Sequence, residues 1–296
     1  MKHLVNLFIC LSLFAGMSSC KFEEINQTES DNQKEIEDYL SRSNLKLQKS
    51  PEGMYYSINT VKSTGKQAFN ADLIKFYYKM TLLDGTKIDS TAKTLGQLKG
   101  MVWGSNSSIL NLPMSFLKEG ESGLFILPSA LAFGGNSYTD IPAFSVIKLE
   151  IEVVSIRTEA EQLKDFQTLY KITNPEVSVT GLIFKKLVEN PKGAQVAIGQ
   201  SVKVNYTGRF SYGVLQNDAT SGKLIYDSSF NAGTFTFVAG TGAVISGFDE
   251  GILKMRVGEK AVLIIPSKIG YGANGSPPTI PPNSPLYFEV EVVGVL

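Results

Sequence analysis

Two stretches of this chain alternate apolar and polar residues for eight or nine positions each: Val146-Ile-Lys-Leu-Glu-Ile-Glu-Val-Val154 and Leu286-Tyr-Phe-Glu-Val-Glu-Val-Val293. In the first, Glu150 and Glu152 fall between Leu149, Ile151 and Val153, so one face is apolar and the other charged. That period of two predicts antiparallel strands with one side on a core and one in water. Elsewhere the period lengthens to that of a helix. Ile36, Tyr39 and Leu40 predict an amphipathic helix after a polar tether that starts at Lys21, and Ala160, Leu163, Phe166 and Tyr170 predict another over 159–171. Phe248, Ile252 and Met255 predict a short helix between strands. Runs of strands with few helices place the chain in the α+β class, and the simplest architecture is a curved antiparallel sheet closed over one short helix.

The pattern occurs twice. Each of the first two predicted helices is followed by glycine, an apolar residue and an aromatic two places on, in Gly53-Met-Tyr-Tyr56 and Gly181-Leu-Ile-Phe184. Gly53 and Gly181 lie 128 positions apart, as do Tyr78 and Tyr206, whereas Asp89 and Asp227 lie 138 apart, as do Gly120 and Gly258. This is an internal repeat whose second copy carries ten extra residues between its tyrosine and its aspartate. The Gly-, Ser- and Asn-rich stretch 211–222 predicts a longer hairpin or surface loop there.

Between Val202 and Ile280 the second copy carries an ordered series: Val202-Lys-Val-Asn-Tyr206-Thr-Gly, Tyr226-Asp227-Ser-Ser, Phe235-Thr-Phe237, Val244-Ile245-Ser-Gly247-Phe248, Gly258-Glu-Lys-Ala, Gly270-Tyr271-Gly and Ile280-Pro-Pro. Taken singly, each piece has a plainer reading. Aromatics at alternate strand positions are usually core, Asp-Ser-Ser is often a turn and Gly-Tyr-Gly a loop. Together they bring many aromatics and few polar groups to one place, which describes an apolar cleft with a sparse polar rim.

At 296 residues with formal net charge +0, the chain suits two compact domains. Without a basic stripe it does not fit nucleic acid as a partner, because such binding rests on neutralising phosphates. The start, Met1-Lys2-His3 followed by an apolar run to Met17 and then Ser18-Ser19-Cys20, has the form of a bacterial lipoprotein signal, although Met17 and Ser19 depart from its commoner residues. On that reading Cys20 is acylated and opens the mature protein. A plain secretory signal containing a cysteine is the alternative. In either case His3 and Cys10, the single histidine and the other cysteine, leave with the signal. The remaining chain then has no imidazole for Ser-His-Asp or Cys-His chemistry and no His or Cys zinc site.

The ordered series resembles the FKBP family of peptidyl-prolyl cis-trans isomerases. The resemblance implies two tandem FKBP-like domains, each a curved antiparallel β-sheet wrapped over a short α-helix, with a preceding N-terminal helix. The expected divisions are a signal at 1–20, a tether and amphipathic helix at 21–50, a degenerate domain at 51–157, a connecting helix and linker at 158–180 and an isomerase domain at 181–296. By that resemblance Asp227, Tyr271, Phe248 and the Ile245 amide act on the substrate, Tyr206, Phe237, Val244, Ile245, Phe248 and Phe288 wall the proline ring with Phe235 and Tyr226 beside them, and Ile280 stands at the rim after Tyr271. Phe248 stands where the family commonly has tryptophan. In the first copy the register sets Leu110 against Phe248, Phe133 against Tyr271 and Leu149 against Phe288, with Asn106 and Ser107 where Val244 and Ile245 stand. That pattern implies a module that keeps the fold with weak or no activity. The expected partners are proline-containing polypeptides of the cell envelope and rapamycin-type macrolides. No cofactor or metal is required, and a lipid anchor at Cys20 would hold the protein to a bacterial membrane, on the periplasmic or surface face of the outer membrane. The alternative is a non-catalytic chaperone or assembly module that holds partners in the same clefts.

Overall fold

The computed structural model describes residues 12–60, 64–104, 108–210, 216–217, 224–225, 234–277 and 280–296. A helix α1 (Ser12–Ser43) leads into a first sheet of β1 (Gln48–Lys49), β2 (Tyr55–Thr60), β3 (Leu73–Leu82), β4 (Lys87–Ser90), β5 (Lys99–Val102), β6 (Ser122–Leu127) and β7 (Ile147–Arg157), with a short helix α2 (Asn111–Ser115) between β5 and β6. Helix α3 (Glu159–Leu169) precedes the second set: β8 (Glu176–Val177), β9 (Ile183–Val188), β10 (Ser201–Phe210), β11 (Gln216–Asn217), β12 (Leu224–Ile225), β13 (Thr234–Val238), β14 (Lys260–Ile265) and β15 (Leu286–Val295), with α4 (Ser246–Leu253) between β13 and β14. The strand pairs are antiparallel, and the sheets run β1-β2-β6-β7-β3-β4, with β5 also on β3, and β13-β10-β15-β14-β9-β8. In both, the last strand in sequence is central. β11 and β12 pair as a separate two-stranded ribbon inside the insertion.

The two strands with the strict alternation are β7 and β15. In β7, Leu149, Ile151 and Val153 are buried while Glu150 is exposed and Glu152 half-buried, as the period of two requires. The segment expected as a tether from Lys21 is instead part of α1. It contains no proline or glycine between Ser18 and Ser43 to stop a helix, so a polar composition does not make it irregular.

Each sheet is covered on both faces. The inner core of the first gathers Phe76, Phe125, Leu127, Leu149 and Met114, and that of the second gathers Val204, Leu263, Val290 and Ile252. On the outer faces sit the long helices. Ile36 of α1 packs on Tyr55, Ile126 and Val146, and Phe166 of α3 packs on Ile183, Val262, Ile264 and Tyr287. Tyr170 stacks on Tyr287 with ring centroids 3.9 Å apart, and the Arg209 guanidinium lies 5.5 Å and 5.8 Å from the two rings.

A second contact repeats between the copies. Asn32 of α1 accepts the Ser129 N–H at 2.8 Å and donates to the Phe144 carbonyl at 3.0 Å. Glu159 of α3 accepts the N–H of Ser267, 138 positions on from Ser129, at 2.5 Å. The repeating unit is therefore an outer helix with the sheet that follows it. Helix α3 also belongs to the first unit's edge, through Glu161 on Lys66 at 2.6 Å and Arg157 on Asp165 at 3.2 Å.

Candidate functional site

The inner face of the second sheet sets the site. Strand β10 presents Val202, Val204 and Tyr206 inward; pairing of Val204 with Phe235 and of Gly208 with Phe288 brings both phenylalanines to the same face. Helix α4 lies close on β14 because two of its residues have no side chain. A Cβ at Gly251 would fall 1.5 Å from Leu263 Cδ2, and one at Gly247 would fall 2.6 Å from Ile265 Cγ2. This approach drives Phe248 into the ring cluster, with centroids 5.3 Å from Phe288 and 5.9 Å from Tyr206, both edge to face.

The loop before α4 is fixed by a buried carboxylate. Asp249 accepts the N–H groups of Gly240 at 2.6 Å and Gly242 at 3.3 Å, and both glycines have a φ of +74°, where other residues are strained. The loop so held delivers Ala243, Val244 and Ile245 to the cleft. The Ile245 carbonyl starts α4 by accepting from Phe248 and Asp249 at 3.0 Å and 3.1 Å, while its N–H is engaged by no partner among the described residues. Tyr271 follows a 3-10 turn, Ser267–Ile269, anchored at one end by Glu159 and at the other by Ser246 Oγ, which donates to the Ile269 carbonyl at 3.2 Å. Its hydroxyl likewise meets no partner among the described residues, and burial pushes its phenol up, so it stays a protonated donor at neutral pH.

Tyr206, Phe235, Ala243, Val244, Ile245, Phe248, Tyr271 and Phe288 enclose a cavity of about 420 Å³. Phe248 and Phe288 are 4% and 5% exposed and form its floor, and Phe235, at 39%, stands at its mouth. Phe237, expected on the wall, and Ile280, expected at the rim, both lie behind the lining residues. Phe237 stacks on Phe235 at 5.5 Å and packs on Phe248 at 5.9 Å, and Ile280 is held in the core by a two-way backbone bridge to Ser276 at 2.7 Å and 2.9 Å. Tyr226 and Asp227 fall outside the described residues, and Cys20 falls within α1. Sequence reasoning missed Ala243, Asp249 and Glu159. The glycines four apart in α4 were a readable signal for close packing; nothing local marked Glu159, which acts across 108 positions.

The first sheet repeats the frame with other side chains. Tyr78, Leu110 and Leu149 are buried in one cluster, against which Phe133 packs. Leu110 is the residue before α2 rather than inside it, because Pro113 has no N–H to donate and fits only the first helical turn. Asn106 and Ser107 lie outside the described residues. Pairing of Phe76 with Lys99 is the counterpart of Val204 with Phe235, so Lys99 occupies the position of the phenylalanine at the second cleft's mouth.

The family of FKBP-type peptidyl-prolyl cis-trans isomerases matches residues 65–154 and 192–293, more than half of the chain. The chain belongs to this family, with one copy of its domain in each unit. Peptidyl-prolyl cis-trans isomerase FKBP15-2 of Arabidopsis thaliana is 43% identical over 108 residues, 36% of this chain and 60% of that protein. FK506-binding protein 1 of Gibberella zeae is 41% identical over 108 residues, 36% of this chain and 93% of its own. The chain thus spans 60% and 58% of the length of FKBP15-2 and FKBP15-1 of Arabidopsis thaliana. A crystal structure of the three FKBP domains of wheat FKBP73 is 21% identical and covers 85% of this chain and 99% of its own, with a TM-score of 0.36.

Proposed function

We propose that the second unit catalyses cis-trans isomerisation of the peptide bond before proline in polypeptide segments. The observation that carries this is a cavity floored by Phe248 and Phe288 whose rim offers two donors without partners among the described residues, the Ile245 N–H and the Tyr271 hydroxyl. The barrier to isomerisation, about 20 kcal/mol, is the loss of amide resonance. The twisted amide is less polar than the planar one, so water favours the ground state. Aromatic walls that strip this water and donors that hold the flanking carbonyls favour the twisted form by differential binding. No nucleophile or proton transfer is needed. Asp227, beside Tyr226, is expected to orient the substrate at the rim, and rapamycin-type macrolides are expected to compete, in keeping with the relative named an FK506-binding protein.

A protease-coupled assay with a proline tetrapeptide tests the reading. We expect turnover that such a macrolide inhibits and that varies little between about pH 6 and 8, because no group of the cavity normally titrates there. Absence of turnover, or a bell-shaped profile in that window, would overturn it.

For the first unit we infer weak or no isomerase activity and a holding role. Phe133 in place of Tyr271 removes a hydroxyl donor, and Leu110 and Leu149 in place of two phenylalanines remove aromatic wall. The site of action is proposed to be the cell envelope, with Cys20 acylated and the protein anchored to the outer membrane, on its periplasmic or surface face. Two acyl chains of buried methylenes, about 0.8 kcal/mol each, anchor a protein stably. Cys20→Ala should move the protein from the detergent phase to the soluble fraction of its native host; a wild-type protein already in that fraction would overturn the anchoring.

A further inference from the structure

Where Phe235 stands at the mouth of the second cleft, the first unit carries the ammonium of Lys99. Lys99 is half-buried, its Nζ 5.1 Å from the centroid of the Tyr78 ring and 3.4 Å from the Tyr78 hydroxyl. Among the described residues no carboxylate comes within ion-pairing distance of it. The nearby aspartate is already engaged at both oxygens: Asp89 Oδ2 accepts the Tyr78 hydroxyl and Oδ1 accepts the Ser90 N–H at 2.8 Å. An apolar ring placed against Tyr78, as in the second cleft, would strip water from an ammonium and return nothing, which is costly. A carboxylate placed there would compensate that loss with a charge-assisted hydrogen bond. In the core cluster that holds Tyr78, Leu110 is buried, while Phe133 and Met101 pack against it partly exposed.

We propose that the first cleft binds a polypeptide segment in which an acidic side chain neighbours an apolar one, with Lys99 taking the carboxylate and Phe133 and Met101 the apolar side chain. The first unit is then a second recognition site of different specificity, which goes beyond the isomerase reading and does not depend on it.

The full chain supplies the test. Its single tryptophan, Trp103, packs against the first unit's core, so its fluorescence reports on that unit, and calorimetry in the presence of a saturating rapamycin-type macrolide keeps the second cleft occupied. The probes are N-acetyl-Leu-Glu-Leu-amide and its Gln counterpart. We expect the Glu peptide to bind at one site per chain roughly tenfold more tightly than the Gln peptide, the size of one charged hydrogen bond. Lys99→Met should abolish that preference, Lys99→Arg should keep it, and neither should change prolyl isomerisation. Equal affinities, no binding of either peptide, or a preference that survives Lys99→Met would overturn the proposal. A macrolide that fails to bind would count against the isomerase reading alone, and the peptide comparison would still be read from Trp103.

Discussion

Tyr206 and Tyr78 stand at the same place in two sheets of the same design, yet their surroundings differ. Tyr206 meets the rings of Phe235, Phe248 and Phe288 at 6.1, 5.9 and 6.0 Å. Tyr78 meets an ammonium and a carboxylate, and burial, followed by its bond to Asp89, pushes its phenol far above the ordinary range. The folds survive this difference because neither sheet is held by its cleft. What holds each is the apolar inner face of its central strands and the long helix on its outer face. Cleft side chains were therefore free to change in one unit, whereas core positions kept their alternation in both.

The sharpest break of this comparison is to remove each floor. Phe248→Ala in the full chain is expected to lower prolyl isomerisation by about tenfold or more, while Leu110→Ala changes it less than about twofold, because only the first admits water to the reacting amide. Equal losses would show that both clefts turn over. Next comes the seat of α4. Gly251→Ala sets a methyl group against Leu263 and is expected to destabilise the second unit by about 1–3 kcal/mol. Far-UV circular dichroism should then resolve an earlier transition while the Trp103 fluorescence transition stays in place; a matching shift in both would show that the units unfold as one.

Finer still are the rim contacts. Tyr271→Phe should cost a few-fold in kcat/KM, about 1 kcal/mol, and Glu159→Ala a similar amount by loosening the turn that carries Tyr271. The two losses should not add, since the second acts through the first. Full additivity would remove Glu159 from the positioning of Tyr271. The smallest effect concerns the joint between units. Lys66, and after it the Thr158 N–H of the capping box, hold Glu161 well below the usual carboxylate pKa of 4.5, at about 2. A depressed value means that its contribution is complete above about pH 5 and is lost as pH falls through about 2. The melting difference between wild type and Glu161→Gln should therefore be largest near neutrality and close toward pH 2, and it should be small because the pair is partly exposed. A gap that widens in acid would reverse this assignment.

Much of the fold was legible because it rests on periodicity. The alternation around Glu150 and Glu152, the helical spacing of Phe166 and Tyr170 and the constant offset between copies are local patterns, and strands and helices follow local patterns. The cavity was legible through ordered segments that the fold brings to one face. Three things escaped. Lys99 reads as an ordinary strand lysine until its pairing with Phe76 sets it at the position of Phe235. Asp249 reads as a helix residue until the loop at Gly240 folds over it. Phe237 and Phe235 share a face, and only the depth of the packing separates a core ring from a wall ring.

The central place of β7 and β15 also governs when each unit can form. Both are the last strands of their sheets in sequence, and each lies between two others, so during synthesis from the N-terminus the earlier strands have no middle to pair with. Helix α3 emerges long before its partner Tyr287, so Tyr170 lacks its stacking ring and Phe166 is only partly covered until β15 has left the ribosome. Pairings so distant in sequence are slow and leave apolar surface exposed meanwhile. The second unit thus completes only once β15 has emerged, and losing the residues of β15 would remove the strand that joins β10 to β14 rather than trim an edge.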